Sequence, residues 1–316
     1  MISAIYFEGK PQVMENVVLE KALEIIRSPH HVWIDIKKSE KEDIKSVLKI
    51  IFPEHHRLIE KECVGNATPK IEVFDEILFM VFKTLPEKSF SKSQMNIILG
   101  KDFLVTIRTG RTDLSKVVEY IKTTQKGGIT SDYILYRILS HVLSHYTPVI
   151  ESITDRVEHF AEKSIKDPRQ ELLRDIIKVK KESLDLHGIL IKEKGIAMSL
   201  WNDAYPQIRK KNIAYMRDLY DMVIQLTDSE AIARDILSTT IEIHVSSVSN
   251  KLNEIMKVLT IVTCFVMVPA LIAGIYGMNF QHMPEISWEY GYYFALGMMG
   301  ICMLVLYLFF KRRNWL

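Results

Sequence analysis

The sequence is poor in cysteine and in net charge, and each shortage excludes a class of protein. Cys63, Cys264 and Cys302 lie far apart, so we expect neither a disulfide framework nor a cysteine metal site. The net charge is only +2 over 316 residues, and basic residues alternate with acidic ones, which argues against a nucleic-acid partner. The N-terminus has no basic segment followed by a long apolar run, so no signal peptide is expected.

Charge is absent altogether from two long stretches near the C-terminus. Residues 258–278 are 21 residues without a charge, and residues 291–310 are another 20. A helix of about 20 residues crosses the hydrocarbon of a bilayer. Trp288, Tyr290, Tyr292 and Tyr293 beside the second stretch suit an aromatic belt at the membrane surface. The sequence therefore predicts two transmembrane helices in a lipid bilayer.

Basic residues flank the outer sides of this pair of spans. Lys251 and Lys257 precede or begin the first span, and residues 311–313 after the second are all basic. Because lysine and arginine stay on the cytoplasmic side, both termini are expected to be cytoplasmic. The connector between the spans contains Glu285 and Glu289 but no lysine or arginine, so it is predicted to be a short external loop.

The first part of the chain alternates strand patterns with helix patterns. Strands are predicted at residues 4–7, 31–36, 71–74, 77–85, 95–99 and 103–108, helices at 13–27, 41–51 and 114–123, and a turn at 100–102. We assign residues 1–128 to a cytoplasmic α/β domain. Small organic substrates are not expected, because no phosphate-binding loop, catalytic triad or pair of catalytic carboxylates is visible.

Residues 129–250 are predicted to be helical, with breaks at Lys166-Asp167-Pro168 and near Tyr205-Pro206. Proline is then absent until Pro269, so one helix is expected from about Ile208 into the first span, roughly 100 Å long. We divide the remainder into the end of this stalk with the first span (251–279), an external loop (280–290), the second span (291–310) and a basic cytoplasmic tail (311–316). The predicted class is an α+β membrane protein with a cytoplasmic α/β domain and a helical stalk.

One stripe of the long helix is apolar or small through both water and membrane. Its members recur at steps of three and four residues: Glu242, Val245, Ser249, Leu252, Met256, Leu259, Thr263, Met267, Ala270 and Gly274. Such a stripe is typical of a helix–helix seam, with small residues for close approach in the membrane. Two interpretations stay open: the stripe packs on the second span, or it is a seam between copies of the chain.

The external end of this helix carries a distinctive motif. Tyr276-Gly277-Met278-Asn279 closes the first span, and Met283-Pro284-Glu285 follows. With a final span ending in basic residues, and with residues 250–261, 69–72 and 33–35, this pattern resembles the CorA family of magnesium and cobalt channels over essentially the whole chain. The resemblance implies a funnel-shaped homopentamer in the plasma (inner) membrane that takes up Mg²⁺, and also Co²⁺ and Ni²⁺, down the electrochemical gradient.

Pore residues follow from the motif and the stripe together. A glycine break at Gly277 lets Asn279 leave the helical path, and a ring of neutral oxygens suits hydrated Mg²⁺. Gly277, Met278 and Asn279 are therefore the expected selectivity filter, with Glu285 in the external loop. The resemblance places further residues along the pore, where the apolar ones would form the gate: Met256, Leu259, Met267, Ala270, Gly274 and Glu242. Thr260 and Thr263 are expected to bond their own helix backbone.

A regulatory metal site in the cytoplasmic part is implied by the resemblance, because the family closes when Mg²⁺ bridges acidic residues of neighbouring subunits. The matching candidates are Asp218 and Asp221 on the stalk and Glu60 elsewhere, with Asp75 and Glu76 as nearby substitutes. Lys61 departs from this pattern, because an aspartate is often present there and lysine cannot bind the ion.

Two alternative functions are compatible with the same sequence. One keeps the architecture but transports Zn²⁺, although Met278 between glycine and asparagine argues against it. The other is a membrane-tethered coiled-coil sensor or adaptor whose spans act only as anchors. In neither case is an enzyme expected.

Overall fold

A mixed β-sheet occupies the N-terminal part of the computed structural model, which describes residues 2–8, 10–15, 17–26, 30–37, 41–86, 90–110, 112–124, 129–279, 282–284 and 288–315. Within these residues the strands are β1 (Ile2–Glu8), β2 (Lys10–Met14), β3 (Val32–Lys37), β4 (Lys70–Phe74), β5 (Ile77–Thr84), β6 (Ser93–Leu99) and β7 (Phe103–Arg108). Their order is β2-β1-β3-β7-β6-β5-β4. Only the β3–β7 pair is parallel among these described strands.

The helices of the described residues are α1 (Leu19–Ile26), α2 (Lys41–Ile51), α3 (His56–Val64), α4 (Ser115–Thr123), α5 (Ser131–Ser144), α6 (Tyr146–Lys166), α7 (Gln170–Asn202), α8 (Ile213–Tyr276) and α9 (Gly291–Arg312). A 3₁₀ turn, Lys210–Asn212, precedes α8. The chain divides into two compact units, residues 1–163 with 170–241, and residues 164–169 with 242–316. Helix α8 belongs to both, and its 64 residues span roughly 95 Å at about 1.5 Å per residue.

Both faces of the sheet are buried, which follows from the near-continuous apolar runs of its central strands. On one face Ile34, Val81 and Val105 pack with buried residues of α1, α2 and α3. Trp33 and Met80, which alternate with these along their strands, face the other core, to which α4 to α8 contribute. The α/β segment and the helices up to Ile241 therefore share one core.

The start of α8 is fixed by a buried carboxylate on α5. Asp132 is 1% exposed, and its Oδ2 accepts hydrogen bonds from the Arg209 backbone N–H at 2.9 Å and from the Asn212 amide at 2.7 Å. Thr130 also donates to Asp132. These contacts hold residues 209–212 out of the α-helix, so α8 begins at Ile213 and the predicted start near Ile208 is wrong by about one turn.

Most predicted strands and the helices at 41–51 and 114–123 are confirmed, and so is the turn at 100–102. There the Gly100 backbone N–H donates to the Phe103 carbonyl at 2.9 Å, and a Cβ on Gly100 would lie 2.3 Å from the Phe103 ring. The helix predicted at 13–27 is present as α1 (Leu19–Ile26), but its predicted beginning is wrong, because Val13 and Met14 belong to the edge strand β2, opposite Ile5 and Ala4. An edge position tolerates Pro11, which cannot donate a ladder hydrogen bond.

The second unit contains the two uncharged stretches. The end of α8 and α9 are each long and apolar enough to cross a membrane. Most side chains along both segments are exposed, unlike those of a helix buried in a soluble core. The unit therefore has the two candidate spans that the sequence predicts.

Candidate ion pathway

The predicted stripe of α8 is exposed along its whole length within one chain. All ten of its residues from Glu242 to Gly274 are exposed. The exposed fraction is 57% for Leu252, 58% for Met256, 56% for Leu259 and 63% for Met267. Large apolar side chains aligned in this way require a partner, either lipid or protein.

The opposite side of the same helix is the one that α9 covers. Ile261 and Ile272 are buried, and the ring of Phe265 lies 6.2 Å from the ring of Phe310 on α9. At about 100° per residue, Ile261, Phe265 and Ile272 fall within about 40° of one another and point away from the stripe. The interpretation that the stripe packs on the second span is therefore wrong, and a seam between copies of the chain stays a prediction.

The helix ends where the motif begins. Helix α8 stops at Tyr276, and Met278 and Asn279 have left the helical path and are exposed. The Gly277 backbone N–H donates to the Ala273 carbonyl at 2.9 Å, and a Cβ on Gly277 would lie 3.1 Å from that oxygen. The next backbone bond, from the Met278 N–H to the Ile275 carbonyl at 3.2 Å, is already an i to i−3 bond, so the helix ends here and Asn279 stands at its tip.

Polar residues along the pathway are few and mostly satisfied by the helix itself. The Thr260 hydroxyl donates to the Met256 carbonyl and the Thr263 hydroxyl to the Leu259 carbonyl, each at 2.8 Å, which confirms the expected backbone bonds. Glu242 is exposed on the stripe at the end nearest the first unit. Glu285 of the external loop lies outside the described residues.

The regulatory candidates are dispersed over the surface of the first unit. Asp218 and Asp221 are exposed on α8, one turn apart, and the Tyr136 hydroxyl donates to Asp218 Oδ2 at 2.8 Å. Glu60 is half-buried on α3, while Asp75 and Glu76 are exposed in the β4–β5 turn, where Asp75 has a φ of 52°. Among the described residues of a single chain, no three acidic, histidine or cysteine side chains form a metal site.

Two polar contacts in the second unit were not predicted. At the junction of α6 and α7, Asp167 Oδ1 lies 3.4 Å from Lys251 Nζ, and Ser164 Oγ lies 3.2 Å from His244 Nδ1. His244 is buried, 3% exposed, although it lies next to the exposed stripe. The proline break after Asp167 indicated the junction of the two helices, but no local pattern indicates its contact with residues about 80 positions later.

A mixed sheet, a helix of 64 residues and two candidate spans together define the class of a membrane protein with two spans near its C-terminus. The profile of the family described as "CorA-like Mg2+ transporter protein" matches residues 28–312. The chain therefore belongs to the CorA family.

Named relatives cover nearly the whole chain. The cobalt/magnesium transport protein CorA of Thermotoga maritima is 31% identical over 305 residues, which are 94% of this chain and 87% of that protein. The protein of the same name from Methanocaldococcus jannaschii is 25% identical over 321 residues, 100% of both chains. The complete structure of the latter organism's CorA magnesium transporter superposes with a TM-score of 0.84 at 22% identity, covering 100% of this chain and 99% of that one.

Proposed function

We propose that the chain is one subunit of a homopentameric channel that admits Mg²⁺, and also Co²⁺ and Ni²⁺, down their electrochemical gradient. The observation that carries the proposal is the exposed stripe of α8, which faces away from α9 and ends at Gly277, Met278 and Asn279. Copies of α8 packed along this stripe surround an axis with α9 outside, toward lipid.

The filter of this channel is a ring of Asn279 side chains and nearby backbone oxygens. Mg²⁺ gives up its water reluctantly, so neutral oxygens bind it through its hydration shell. No residue between Val258 and Met278 is charged, so the ion meets no counter-charge strong enough to trap it. A weakly held, hydrated ion is therefore free to enter and to leave.

The gate of the channel is the apolar part of the stripe. Met256, Leu259 and Met267 narrow and dewet the pore, while Ala270 and Gly274 allow close approach of the helices. Glu242 adds an acidic ring at the cytoplasmic mouth, which concentrates cations there. Both termini are cytoplasmic in this arrangement, and the membrane is the plasma (inner) membrane.

Closure of the gate is coupled to cytoplasmic Mg²⁺ through carboxylates of neighbouring subunits. Asp218 and Asp221 are accessible on the same face of α8, and Glu60, Asp75 and Glu76 are accessible on other elements. The dispersion of these groups within one chain fits a site that two subunits complete. Lys61 beside Glu60 lowers the negative charge there, so the stalk aspartates carry most of the binding.

Ion flux into proteoliposomes tests the filter. Replacing Asn279 by alanine removes the amide ring, so Mg²⁺ and Co²⁺ flux should fall at least about tenfold while the oligomer still assembles. Asn250→Ala is the matched control, because Asn250 is exposed on α8 but lies on the side away from the stripe. Equal flux in wild type and Asn279→Ala would falsify the filter assignment.

The same assay separates the rival functions. A membrane-tethered sensor or adaptor conducts no ion and does not need Asn279, so absence of flux from a well-assembled wild type favours it. Selective Zn²⁺ flux without Mg²⁺ flux favours the zinc transporter. The proposed channel requires that the wild-type protein gives a measurable Mg²⁺ flux in this assay.

Protease protection tests the regulatory part. Mg²⁺ bound between subunits stabilises the closed form, so millimolar Mg²⁺ should slow cleavage of the cytoplasmic unit. Asp218→Asn with Asp221→Asn should remove most of this protection, whereas Asp175→Asn, an exposed change on α7, should leave it. Cleavage that is the same with and without Mg²⁺ contradicts this part of the proposal.

A further inference from the structure

A cleft of about 730 Å³ opens between the sheet and helix α7, within the first unit and apart from the ion pathway. Its walls come from the segment before β4, from β5 and the segment before β6, and from one side of α7. The volume is within the range of small-molecule sites, about 300–1,000 Å³.

Three lysines line this cleft against a single carboxylate. Lys83 lies on β5, Lys92 just before β6 and Lys192 on α7, and Asp185 is the one acidic residue among the described lining residues. Lys92 Nζ lies 2.7 Å from Asp185 Oδ2, so that carboxylate is already paired. The wall therefore carries an excess of positive charge.

Lys83 is the unusual member, because its side chain is buried and its contacts are neutral. The residue is 6% exposed, and its Nζ donates to Asn66 Oδ1 at 2.7 Å and to Gln94 Oε1 at 3.3 Å. Both acceptors are amide oxygens, and an ammonium group has three hydrogens to donate. Among the described residues no carboxylate lies within ion-pair distance of this buried ammonium, which is a costly arrangement that an anion in the cleft would relieve.

A buried acid close to Lys83, Glu193, contacts the backbone of that lysine and not its ammonium group. Glu193 accepts the Lys83 backbone N–H at 2.9 Å through Oε1, and it also accepts the Tyr146 hydroxyl at 3.1 Å. Desolvation by complete burial raises the pKa of Glu193 well above its ordinary value. Burial, and then the charge of Lys92, lower the pKa of Lys83.

The cleft also has an aromatic ring and open space. Phe90 is half-buried at its edge, and Lys92 Nζ lies 5.5 Å from the centroid of the Phe90 ring. Gly188 on α7 faces space in which an added Cβ would meet no atom within 4 Å. A flat, partly apolar group therefore fits beside the cationic wall.

We infer that this cleft binds a nucleoside polyphosphate, with the phosphates on Lys83, Lys92 and Lys192 and the base against Phe90. Lysine binds phosphate as a point charge, and stacking on an aromatic ring accepts any base. The ligand is an effector of the cytoplasmic unit and not a transported substrate. The inference does not depend on ion transport.

The test is binding of ATP, adenosine and inorganic tripolyphosphate to the full-length protein in detergent, in buffer without Mg²⁺. Lys92→Ala with Lys192→Ala should weaken ATP binding about tenfold or more, because two charge-assisted contacts are lost. Lys180→Ala with Lys181→Ala removes equal charge from exposed positions of the same helix, and should change affinity by less than about twofold. Lys83 is left intact, because its hydrogen bonds support the fold.

A second pair of variants, both at Gly188, tests whether ATP occupies the open volume of the cleft. Gly188→Phe should fill the cleft and abolish ATP binding, whereas Gly188→Ala should retain it, since a Cβ there meets nothing. ATP should bind more tightly than either adenosine or tripolyphosphate. Failure of ATP to bind, or equal weakening by the cleft and control lysine pairs, overturns the inference, and tripolyphosphate binding as tightly as ATP overturns its nucleoside part.

Discussion

The two parts of helix α8 have the same helical period but opposite burial. In the first unit a row of residues at steps of three and four is buried: Met216, Leu219, Val223, Leu226, Glu230, Ala233, Leu237 and Thr240. In the second unit all residues from Lys251 to Thr260 are exposed in one chain. One helix is therefore held by its own chain over its first part and needs other molecules over its second.

This contrast explains how so long a helix can be stable. An isolated helix gains little from propensity alone, and most of its stability comes from packing of an apolar face. The first part packs on the core shared with the sheet, where Ser183 Oγ donates to the buried Glu230 at 2.9 Å. The second part has the exposed stripe, whose partner in the proposed channel is the same stripe of neighbouring copies.

The largest expected effect contrasts two leucines of α8. Leu237→Ala removes a fully buried side chain and should destabilise the first unit by about 2–5 kcal/mol, seen as a lower melting temperature of the full-length protein. Leu252→Ala removes a side chain that is 57% exposed within one chain, so it should leave that melting transition within about 1 kcal/mol.

The oligomer mass in detergent provides the second measurement that distinguishes Leu252→Ala from Leu237→Ala. Leu252→Ala should shift the mass from five copies toward smaller species, because it weakens the seam between copies, whereas Leu237→Ala should not do so below its melting temperature. The reverse result, with Leu237 controlling assembly and Leu252 controlling the fold, would contradict the division of α8.

A somewhat smaller effect concerns the point at which the buried part of α8 begins. Asp132→Ala leaves the Arg209 backbone N–H without its acceptor and removes one of the two acceptors of the Asn212 amide, the other being the Thr130 hydroxyl. The expected loss is about 2–4 kcal/mol, measured by chemical or thermal unfolding. Asp221→Ala on the exposed side of α8 is the control and should change stability by less than about 0.5 kcal/mol. If Asp132→Ala leaves the free energy of unfolding unchanged, packing alone positions the start of α8.

A structural feature could be predicted from the sequence when the residues that determine it are close together along the chain. The long helix α8, the two candidate spans and the turn at Gly100 are all set by residues close in sequence, and they are confirmed. Strand β2 was missed because Val13 also fits a helical period, and only pairing with β1 decides between the two. Asp132 and Arg209 are 77 residues apart, and their contact exists only after the chain has folded.

The candidate site divides in the same way. Gly277, Met278 and Asn279 could be singled out from the sequence because the motif directly follows an uncharged stretch, and both features involve neighbouring residues of one helix. Which side of α8 meets α9 could not be predicted, because the faces of Ile261 and Met256 are both apolar. The regulatory carboxylates are less predictable still, since exposed acids have no local pattern that separates a metal ligand from a solvated charge.

The smallest effect contrasts two glutamates with opposite burial, Glu193 in the first unit and Glu242 on the exposed stripe. Burial raises the pKa of Glu193 in the folded protein, so the folded state keeps its proton at pH values where the unfolded state has lost it. Stability from this group is therefore present below the unfolded pKa and falls as pH rises toward the folded pKa. Glu193→Gln cannot ionise, so its melting temperature relative to wild type should rise from pH 5 to pH 8. Glu242→Gln removes a carboxylate that is exposed within one chain and is the comparison variant, and a parallel response of the two variants would mean that burial of Glu193 does not cause the trend.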